Sequence, residues 1–273
     1  MLNENEKIVP FFPGSEQVWQ ITRRLHQLAE NNQRMLGQQL RLPALLILTD
    51  EGADLNNSVM NIVRQLKQDK LIRFACPEPV ILYKLRKDGN INQLLDKMDS
   101  CSGFNCRYTG CVVVQLGNDL FANSAVMENL SLLVEDQQGQ AMFIFTAAKS
   151  IPARQLNDII RRLSGVTPLE TVEISAPMPD KLAEYFEQQL LGKGFSLTRE
   201  ARKALPDCIS EWMQKNKACV TVSGINALRD KAIFNIMSSR PLTQQKIQLD
   251  DLRMISSNGQ VPDAGHERRT IGF

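Results

Sequence analysis

A segment near the start of the chain has the order of a phosphate-binding loop but lacks its reactive groups. The apolar run Leu45–Leu48 is followed by a polar turn with Gly52 and then by apolar residues at helical spacing. In the pattern G-x-x-x-x-G-K-[ST], glycines let backbone N–H groups approach phosphate, the lysine reaches the terminal phosphates and the hydroxyl holds magnesium. Here Asp54 replaces the last glycine, Leu55 the lysine and Asn56 the hydroxyl. Because the Asp54 carboxylate would repel a triphosphate at close range, the segment predicts the scaffold without the ATPase chemistry.

Apolar runs alternate with amphipathic stretches along the first part of the chain. The runs predict buried strands, and the stretches, with apolar residues at helical spacing, predict helices. Because successive parallel strands are joined by crossover helices, the alternation predicts an α/β domain whose parallel sheet is covered on both faces. The predicted strands cover residues 44–48, 79–83, 111–114, 141–146 and 171–174, and the predicted helices cover residues 15–36, 55–69, 91–98, 126–134 and 156–163.

After a proline-rich junction at residues 175–179, the pattern becomes purely helical. Thr198 is the expected N-cap of the second helix of this region, and Pro206 is expected to kink or split that helix. The predicted helices cover residues 182–190, 201–212 and 223–236, with a short closing element at 247–255. We therefore predict an N-terminal tail at 1–14, an α/β domain at 15–176, a small all-helical lid at 177–255 and a flexible C-terminal tail at 256–273.

Charge and hydropathy exclude several classes of protein. The chain has 273 residues, and its 32 Lys and Arg against 30 Asp and Glu give a net charge of +2, which argues against a strongly basic nucleic-acid surface. No apolar run approaches the roughly 20 residues that cross a bilayer. The first residues also lack the basic and then apolar order of a signal peptide. These features predict a soluble cytoplasmic protein without membrane insertion.

Cysteines and histidines offer little evidence for a metal site or for another enzyme chemistry. Cys101, Cys106 and Cys111 recur every five residues, and a fourth metal ligand would have to be Cys76 or a distant histidine. Zinc sites usually bring cysteines in closer pairs, so we expect ordinary reduced thiols and no metal. Thiol chemistry at these cysteines stays open, although nothing in the sequence places a base beside them. With no Gly-x-Ser-x-Gly elbow and only 2 histidines, other hydrolytic sites are not indicated.

The order of an α/β domain with a phosphate-binding loop and then a helical lid resembles the AAA+ ATPases. The chain is most similar to the branch that contains stage V sporulation protein K and the red-type rubisco activase CbbX. This resemblance covers roughly residues 10–240 and rests on Leu28–Arg34 ahead of the first strand and on the lid segment Gly192–Arg202, Gly-Lys-Gly-Phe-Ser-Leu-Thr-Arg-Glu-Ala-Arg. It implies a P-loop NTPase-like fold.

The resemblance also assigns roles to the end of the third strand. In the family, four apolar residues precede an aspartate that holds magnesium through water and a glutamate that orients the attacking water. Here the strand Cys111–Val114 is followed by Gln115 and Leu116. A neutral amide is a poor magnesium ligand, and leucine neither accepts a proton nor aligns water. Asp119 follows too far along the chain to substitute, so both Walker motifs are predicted to be lost.

Further positions are implied by the same resemblance. Thr146 stands where the family places a polar sensor residue. Arg161 or Arg162 would be the arginine that acts on a neighbour's nucleotide, although a solvated helix end, where cations favour the C-terminal dipole, is the more ordinary explanation of this pair. The lid sensor would be Arg229, or Ser223 in an alternative alignment, and an exposed lid face is the alternative for Arg229.

These losses predict a catalytically inactive AAA+-like subunit that serves as a structural, assembly or regulatory component of a complex. Its partners would be an active AAA+ paralogue or further copies of the chain. Arg161, Arg162 and Arg229 are candidate intersubunit contacts, and the apolar end at Phe273 is a candidate docking segment. We expect no cofactor, although weak nucleotide binding through backbone and apolar contacts stays open.

An alternative function is nucleic-acid work by a degenerate clamp-loader-like subunit of the delta type. The basic residues Lys84, Arg86 and Lys87 could contact phosphates. Surface solvation of these charges and the small net charge make nucleic-acid binding the less favoured prediction.

Overall fold

The structure is a computed structural model that describes residues 12–34, 42–72, 78–85, 90–102, 108–117, 124–217, 220–239 and 246–252. The chain forms two compact units. We call the unit of residues 17–51 and 58–174 the sheet unit. We call the unit of residues up to 16, residues 52–57 and residues from 175 to 272 the helical unit.

The chain up to residue 174 contains the strands and helices that the sequence predicts. The strands are β1 (Ala44–Thr49), β2 (Val80–Leu85), β3 (Gly110–Leu116), β4 (Ala141–Ala148) and β5 (Leu169–Ile174). The helices are α1 (Glu16–Arg34), α2 (Leu55–Gln68), α3 (Ile91–Ser102), α4 (Ser124–Asp136) and α5 (Ala153–Ser164). The predicted alternation of buried strands and amphipathic helices is therefore confirmed, with boundaries that differ by a few residues.

The five strands form one parallel sheet in the order β2-β3-β4-β1-β5. The first strand thus lies between β4 and β5, and the chain crosses over β4 and β3 to reach β2. In open parallel sheets, ligands bind beyond the carboxyl ends of the strands where the strand order reverses. The residues that follow β1, β3 and β4 are therefore the ones to inspect for a site.

Both faces of the sheet are covered, as predicted. Alternate strand residues such as Leu46, Val112 and Phe145 belong to a core cluster that also contains buried residues of α3, α4 and α5. Because neighbouring residues of a strand point to opposite faces, Ile47 and Val113 lie on the other face, where they are buried as well. A sheet buried on both sides explains why its strands are nearly continuous apolar runs in the sequence.

The helical unit contains the three predicted lid helices, α6 (Pro179–Gly192), α7 (Arg199–Lys215) and α8 (Val222–Ser239). It also contains two short strands, β6 (Ser196–Leu197) and β7 (Lys246–Ile247), which pair in parallel. The lid is therefore helical but not all-helical. Strands of two residues are too short to show an alternating pattern, so the sequence could not predict them.

Helix α7 shows one confirmed detail and one correction. The Thr198 side chain accepts a hydrogen bond from the Ala201 N–H at 3.3 Å, which confirms the predicted N-cap. The helix continues through Pro206, so the predicted split is wrong, while the predicted kink stays a prediction. Proline removes a single N–H donor, and the buried residues Leu205 and Ile209 hold the helix on both sides of it.

The predicted N-terminal tail includes residues that pack in the helical unit. Phe12 is buried, and its ring lies edge-on to Tyr185 with 5.5 Å between the centroids. Gly14 has a φ of +88°, and a Cβ there would lie 2.1 Å from the Ser175 carbonyl oxygen. The Ser175 N–H donates to the Gly14 carbonyl oxygen at 2.9 Å, so the two backbones are too close for any residue but glycine.

Candidate phosphate site at the start of helix α2

The loop between β1 and α2 has the backbone form that a phosphate site requires. Gly52 is exposed with a φ of +82°, a conformation that favours glycine. The Leu55 N–H donates to the Ala53 carbonyl oxygen at 2.9 Å where the helix begins. A helix start presents unpaired N–H groups and the positive end of the helix dipole, which together bind anions. The start of α2 is therefore the place where the fold would hold a phosphate.

A carboxylate of the protein itself lies at this position. Asp54 is only 7% exposed, and its Oδ1 accepts a hydrogen bond from the Asn57 N–H at 3.2 Å. Asp54 is thus the N-cap of α2, one residue before the first helical residue. A negative side chain at an N-terminus is stabilised by the helix dipole. The anion position at the start of α2 is filled by Asp54.

The second oxygen of the same carboxylate binds the start of another helix. The Val222 N–H, at the first residue of α8, donates to Asp54 Oδ2 at 2.8 Å. Next to it, the Thr221 hydroxyl oxygen accepts from the Gly224 N–H at 3.1 Å. The first turns of α2 and α8, both among the described residues, contain no acidic residue. Asp54 therefore supplies negative charge to two helix starts that have none of their own.

The residues next to Asp54 in the sequence provide neither a cation nor a hydroxyl. Leu55 is partly buried and Asn56 is exposed. The loop after β4 does contain a lysine, Lys149, which the sequence analysis did not single out. Its Nζ lies 3.3 Å from Asp50 Oδ2 and 3.3 Å from Glu173 Oε2, within the sheet unit. Two carboxylates on one ammonium leave little positive charge for a phosphate.

The two positions predicted to correspond to Walker B lie on opposite faces of the sheet. Gln115 is exposed and in register with Lys84 on β2 and Thr146 on β4. Leu116 is 3% exposed and belongs to the core cluster on the other face, with Leu85. The position where a catalytic glutamate would stand is thus part of the hydrophobic core.

Comparisons with known proteins give the fold. No protein-family model matches the sequence, and no curated protein matches it. A proline-to-glycine mutant of RuvB from Thermotoga maritima matches with a TM-score of 0.50 and 13% identity, over 90% of this chain and 71% of that chain. The fold is that of the AAA+ P-loop NTPases.

Other solved structures match over similar lengths. An alanine-to-serine mutant of RuvB from the same organism has a TM-score of 0.50 and 13% identity, over 90% of this chain and 70% of that one. The Bacillus subtilis DNA clamp loader delta protein has a TM-score of 0.40 and 11% identity, over 84% of this chain and 61% of that chain. At these identities the likeness to RuvB shows the AAA+ fold alone.

The remaining AAA+ positions are distributed over both units. Thr146 is buried on β4 in the sheet unit. Arg161 is in the last turn of α5, 76% exposed, with its Nη2 3.0 Å from Asp158 Oδ1. Arg162 is partly buried in the same turn, and Ser223, the alternative lid sensor, is exposed on α8.

Arg229 on α8 is held within the helical unit. Its side chain is 12% exposed and contacts Asp230 at 2.7 Å. Its Nη1 donates to the side-chain oxygens of Gln189 at 3.2 Å and Asn226 at 3.0 Å. These contacts tie α8 to α6, because Gln189 belongs to α6. The Phe273 tail position, like Asp119 and the basic residues Arg86 and Lys87, lies outside the described residues.

The cysteines do not form a reactive or metal-binding cluster in the part of the chain that the structure describes. Cys111 is fully buried on β3, and burial raises the pKa of its thiol to about 12, so the reactive thiolate does not form near neutral pH. Cys101 on α3 has its Sγ 3.0 Å from Glu78 Oε2. Across the described ranges, no group of three or more His, Cys, Asp or Glu is placed to hold a metal ion. Cys76 and Cys106 fall outside those ranges.

Among the helices described here, none is both long and apolar enough to span a bilayer.

Proposed function

We propose that this chain is a catalytically inactive AAA+-like subunit that acts as a structural, assembly or regulatory component of a larger complex. The observation that carries the proposal is the Asp54 carboxylate, whose two oxygens accept backbone N–H groups at the starts of α2 and α8. A phosphate at the start of α2 would have to displace this buried carboxylate or lie against its charge. Both outcomes disfavour a bound triphosphate.

The other positions support the same conclusion. Phosphoryl transfer depends almost wholly on positioning and electrostatic stabilisation, through a lysine, magnesium and residues that hold the metal and the attacking water. Leu55 offers no charge to the phosphates, and Gln115 offers magnesium only a neutral amide. Leu116 is packed in the core, and its side chain has no group that could accept a proton or orient water. We therefore propose that the chain uses no magnesium-nucleotide cofactor.

A role beside other subunits accounts for an AAA+ fold that lacks the groups for ATP hydrolysis. Arg161 is exposed and paired only with Asp158 among the ion pairs described. A surface pair at this helical spacing is worth about 0.3–0.5 kcal/mol, so a partner's phosphate could take over the guanidinium at small cost. We propose that the partner is an active AAA+ paralogue or a second copy of this chain. We also propose that this chain belongs to the AAA+ branch that contains stage V sporulation protein K and CbbX.

Turnover of ATP by the purified chain tests inactivity. We expect release of phosphate no faster than in a mock purification from cells that lack the chain, with an active AAA+ ATPase as the positive control. Variants Gly52→Ala and Gln115→Ala should leave this baseline unchanged. Turnover above the mock purification that either variant abolishes would contradict the proposal.

Native mass spectrometry of complexes pulled down from the source cell tests the partner. An intact AAA+ paralogue in the complex would support the proposal, and Arg161→Ala should then lower the ATP turnover of the mixed complex, with Arg154→Ala on the same helix as the control. Recovery of a sliding clamp, together with salt-dependent DNA binding, would support the clamp-loader alternative instead.

A further inference from the structure

We propose that Asp54 is a built-in substitute for phosphate, a permanent anion that ties the start of α8 to the start of α2 without nucleotide. This inference deepens the proposed function and rests on it, because a resident nucleotide would compete for the same N–H groups. The Asp54 carboxylate makes the contact between segment 52–57 and α8 permanent, whereas in an active enzyme a phosphate would bind and dissociate.

The geometry of the carboxylate supports a tying role. Its Oδ1 faces the Asn57 N–H and its Oδ2 faces the Val222 N–H, so each oxygen serves a different helix. Hydrogen bonds from an N–H group to a carboxylate are shorter and stronger than those between neutral groups, and the 2.8 Å contact to Val222 has the length of such a bond. Asp54 and Val222 are far apart in the sequence, so this side chain joins two distant segments of the helical unit.

The starts of both helices match the chemistry of a phosphate. Oriented N–H groups at helix starts are the usual ligands of phosphate oxygens, and an aspartate oxygen accepts the same hydrogen bonds. At the start of α8, the Thr221 hydroxyl oxygen accepts a hydrogen bond from the Gly224 N–H, and Asp54 Oδ2 accepts one from the Val222 N–H. The carboxylate occupies space that a glycine at position 54 would leave for an external anion.

The charge of Asp54 acts on a side chain of the same unit. Burial raises the pKa of the Tyr185 phenol on α6, the Arg229 guanidinium lowers it, and the Asp54 carboxylate raises it. All three residues belong to the helical unit.

Replacement of Asp54 by glycine, followed by addition of anions, tests this inference. Asp54→Gly removes the carboxylate and restores the residue type of a phosphate-binding loop, and Asp54→Ser keeps an N-cap hydroxyl while it removes the charge. Thermal unfolding is measured in inorganic phosphate, in pyrophosphate and in chloride at matched ionic strength. Hydrogen exchange of a peptide that spans Val222 and Gly224 reports on the start of α8. Glu51→Gln, which removes an exposed carboxylate from the same loop, is the matched control.

In chloride we expect Asp54→Gly to unfold about 4–10 °C below the wild type, because a charged hydrogen bond and a cap are lost. Phosphate or pyrophosphate should recover at least half of this difference and slow exchange at the α8 start, with little effect on the wild type or on Glu51→Gln. The serine variant should show a smaller loss and the same anion response, so the test stands if the glycine variant does not fold.

Equal stability of the Asp54 variants and the control would overturn the inference. An anion response of the same size in the wild type, or no response in either Asp54 variant, would overturn it too. ATP turnover by the wild type would instead refute the proposed inactivity. The anion response of the Asp54 variants would still test the role of the carboxylate.

Discussion

The positions that we predict to correspond to Walker A and Walker B differ in how the fold holds their side chains. At the start of α2, Asp54 accepts backbone hydrogen bonds from Asn57 and Val222. At the end of β3, Gln115 is exposed, whereas Leu116 is packed in the core. From this comparison we expect that substitution of Leu116 or Asp54 destabilises the fold and that substitution of Gln115 does not.

The largest effect should come from returning an acid to the core position at the end of β3. Leu116→Glu would place a carboxyl group among apolar side chains without a partner, which costs about 4 kcal/mol or more in free energy of unfolding. Chemical denaturation measures this loss, and Leu116→Met should cost less than about 1.5 kcal/mol. A glutamate variant as stable as the methionine variant would show that the position can still reach solvent.

The next largest effect should come from removal of the Asp54 carboxylate. Asp54→Ala loses an N-cap and a charged hydrogen bond, and we expect a destabilisation of about 2–4 kcal/mol. Because the contacts are backbone N–H groups, Asp54→Asn should retain part of the stability through its amide oxygen. Denaturation midpoints for the two variants, compared with Glu51→Gln, check this order. If Asp54→Ala and Asp54→Asn destabilise the fold no more than Glu51→Gln does, the hydrogen bonds of Asp54 contribute no measurable stability.

A return of the exposed acid at the end of β3 should change almost nothing. Gln115→Asp alters an exposed side chain, so its stability should stay within about 0.5 kcal/mol of the wild type. Because the lysine and hydroxyl positions remain Leu55 and Asn56, no ATP turnover should appear in this variant. A phosphate-release assay checks the second expectation, and turnover in Gln115→Asp would contradict the account.

The pair of His26 and Asp69 shows how small the contribution of an ordinary surface ion pair should be compared with the effects at Leu116 and Asp54. The hydrogen bond that His26 Nδ1 donates to Asp69 Oδ1, at 2.9 Å, raises the pKa of His26 above its ordinary value of 6.5. A raised pKa gives stability that is full below the unfolded value and is lost as pH rises through the folded one. Since His26 is half exposed, we expect less than about 0.5 kcal/mol. The free energy of unfolding is measured at pH 5.5 and 8.5 for the wild type and for His26→Gln. The small loss of stability that His26 causes between these pH values should be absent from the variant.

Much of the fold was predictable because its signals are local. Buried strands such as β1 and β4 are runs of apolar residues, and the helices between them repeat apolar residues at helical spacing. The strand order and the pairing of β6 with β7 were not predictable, since they depend on contacts between distant segments. The split predicted at Pro206 does not occur, because tertiary packing outweighs the tendency of proline to interrupt a helix.

The candidate site divides in the same way. The sequence alone predicts that Leu55 and Gln115 stand where an active enzyme has a lysine and an aspartate. It predicted repulsion between Asp54 and a triphosphate, but not the hydrogen bond to Val222, because the two residues meet only in the folded chain. Nor did it place Leu116 in the core or Lys149 between two carboxylates.

A crystal structure grown with excess magnesium and a non-hydrolysable ATP analogue would test the central claim most directly. We predict density for the Asp54 carboxylate on the N–H groups of Asn57 and Val222, with no triphosphate at the start of α2. A magnesium-bound triphosphate on the α2 N–H groups, with Asp54 turned away from Val222, would contradict the account.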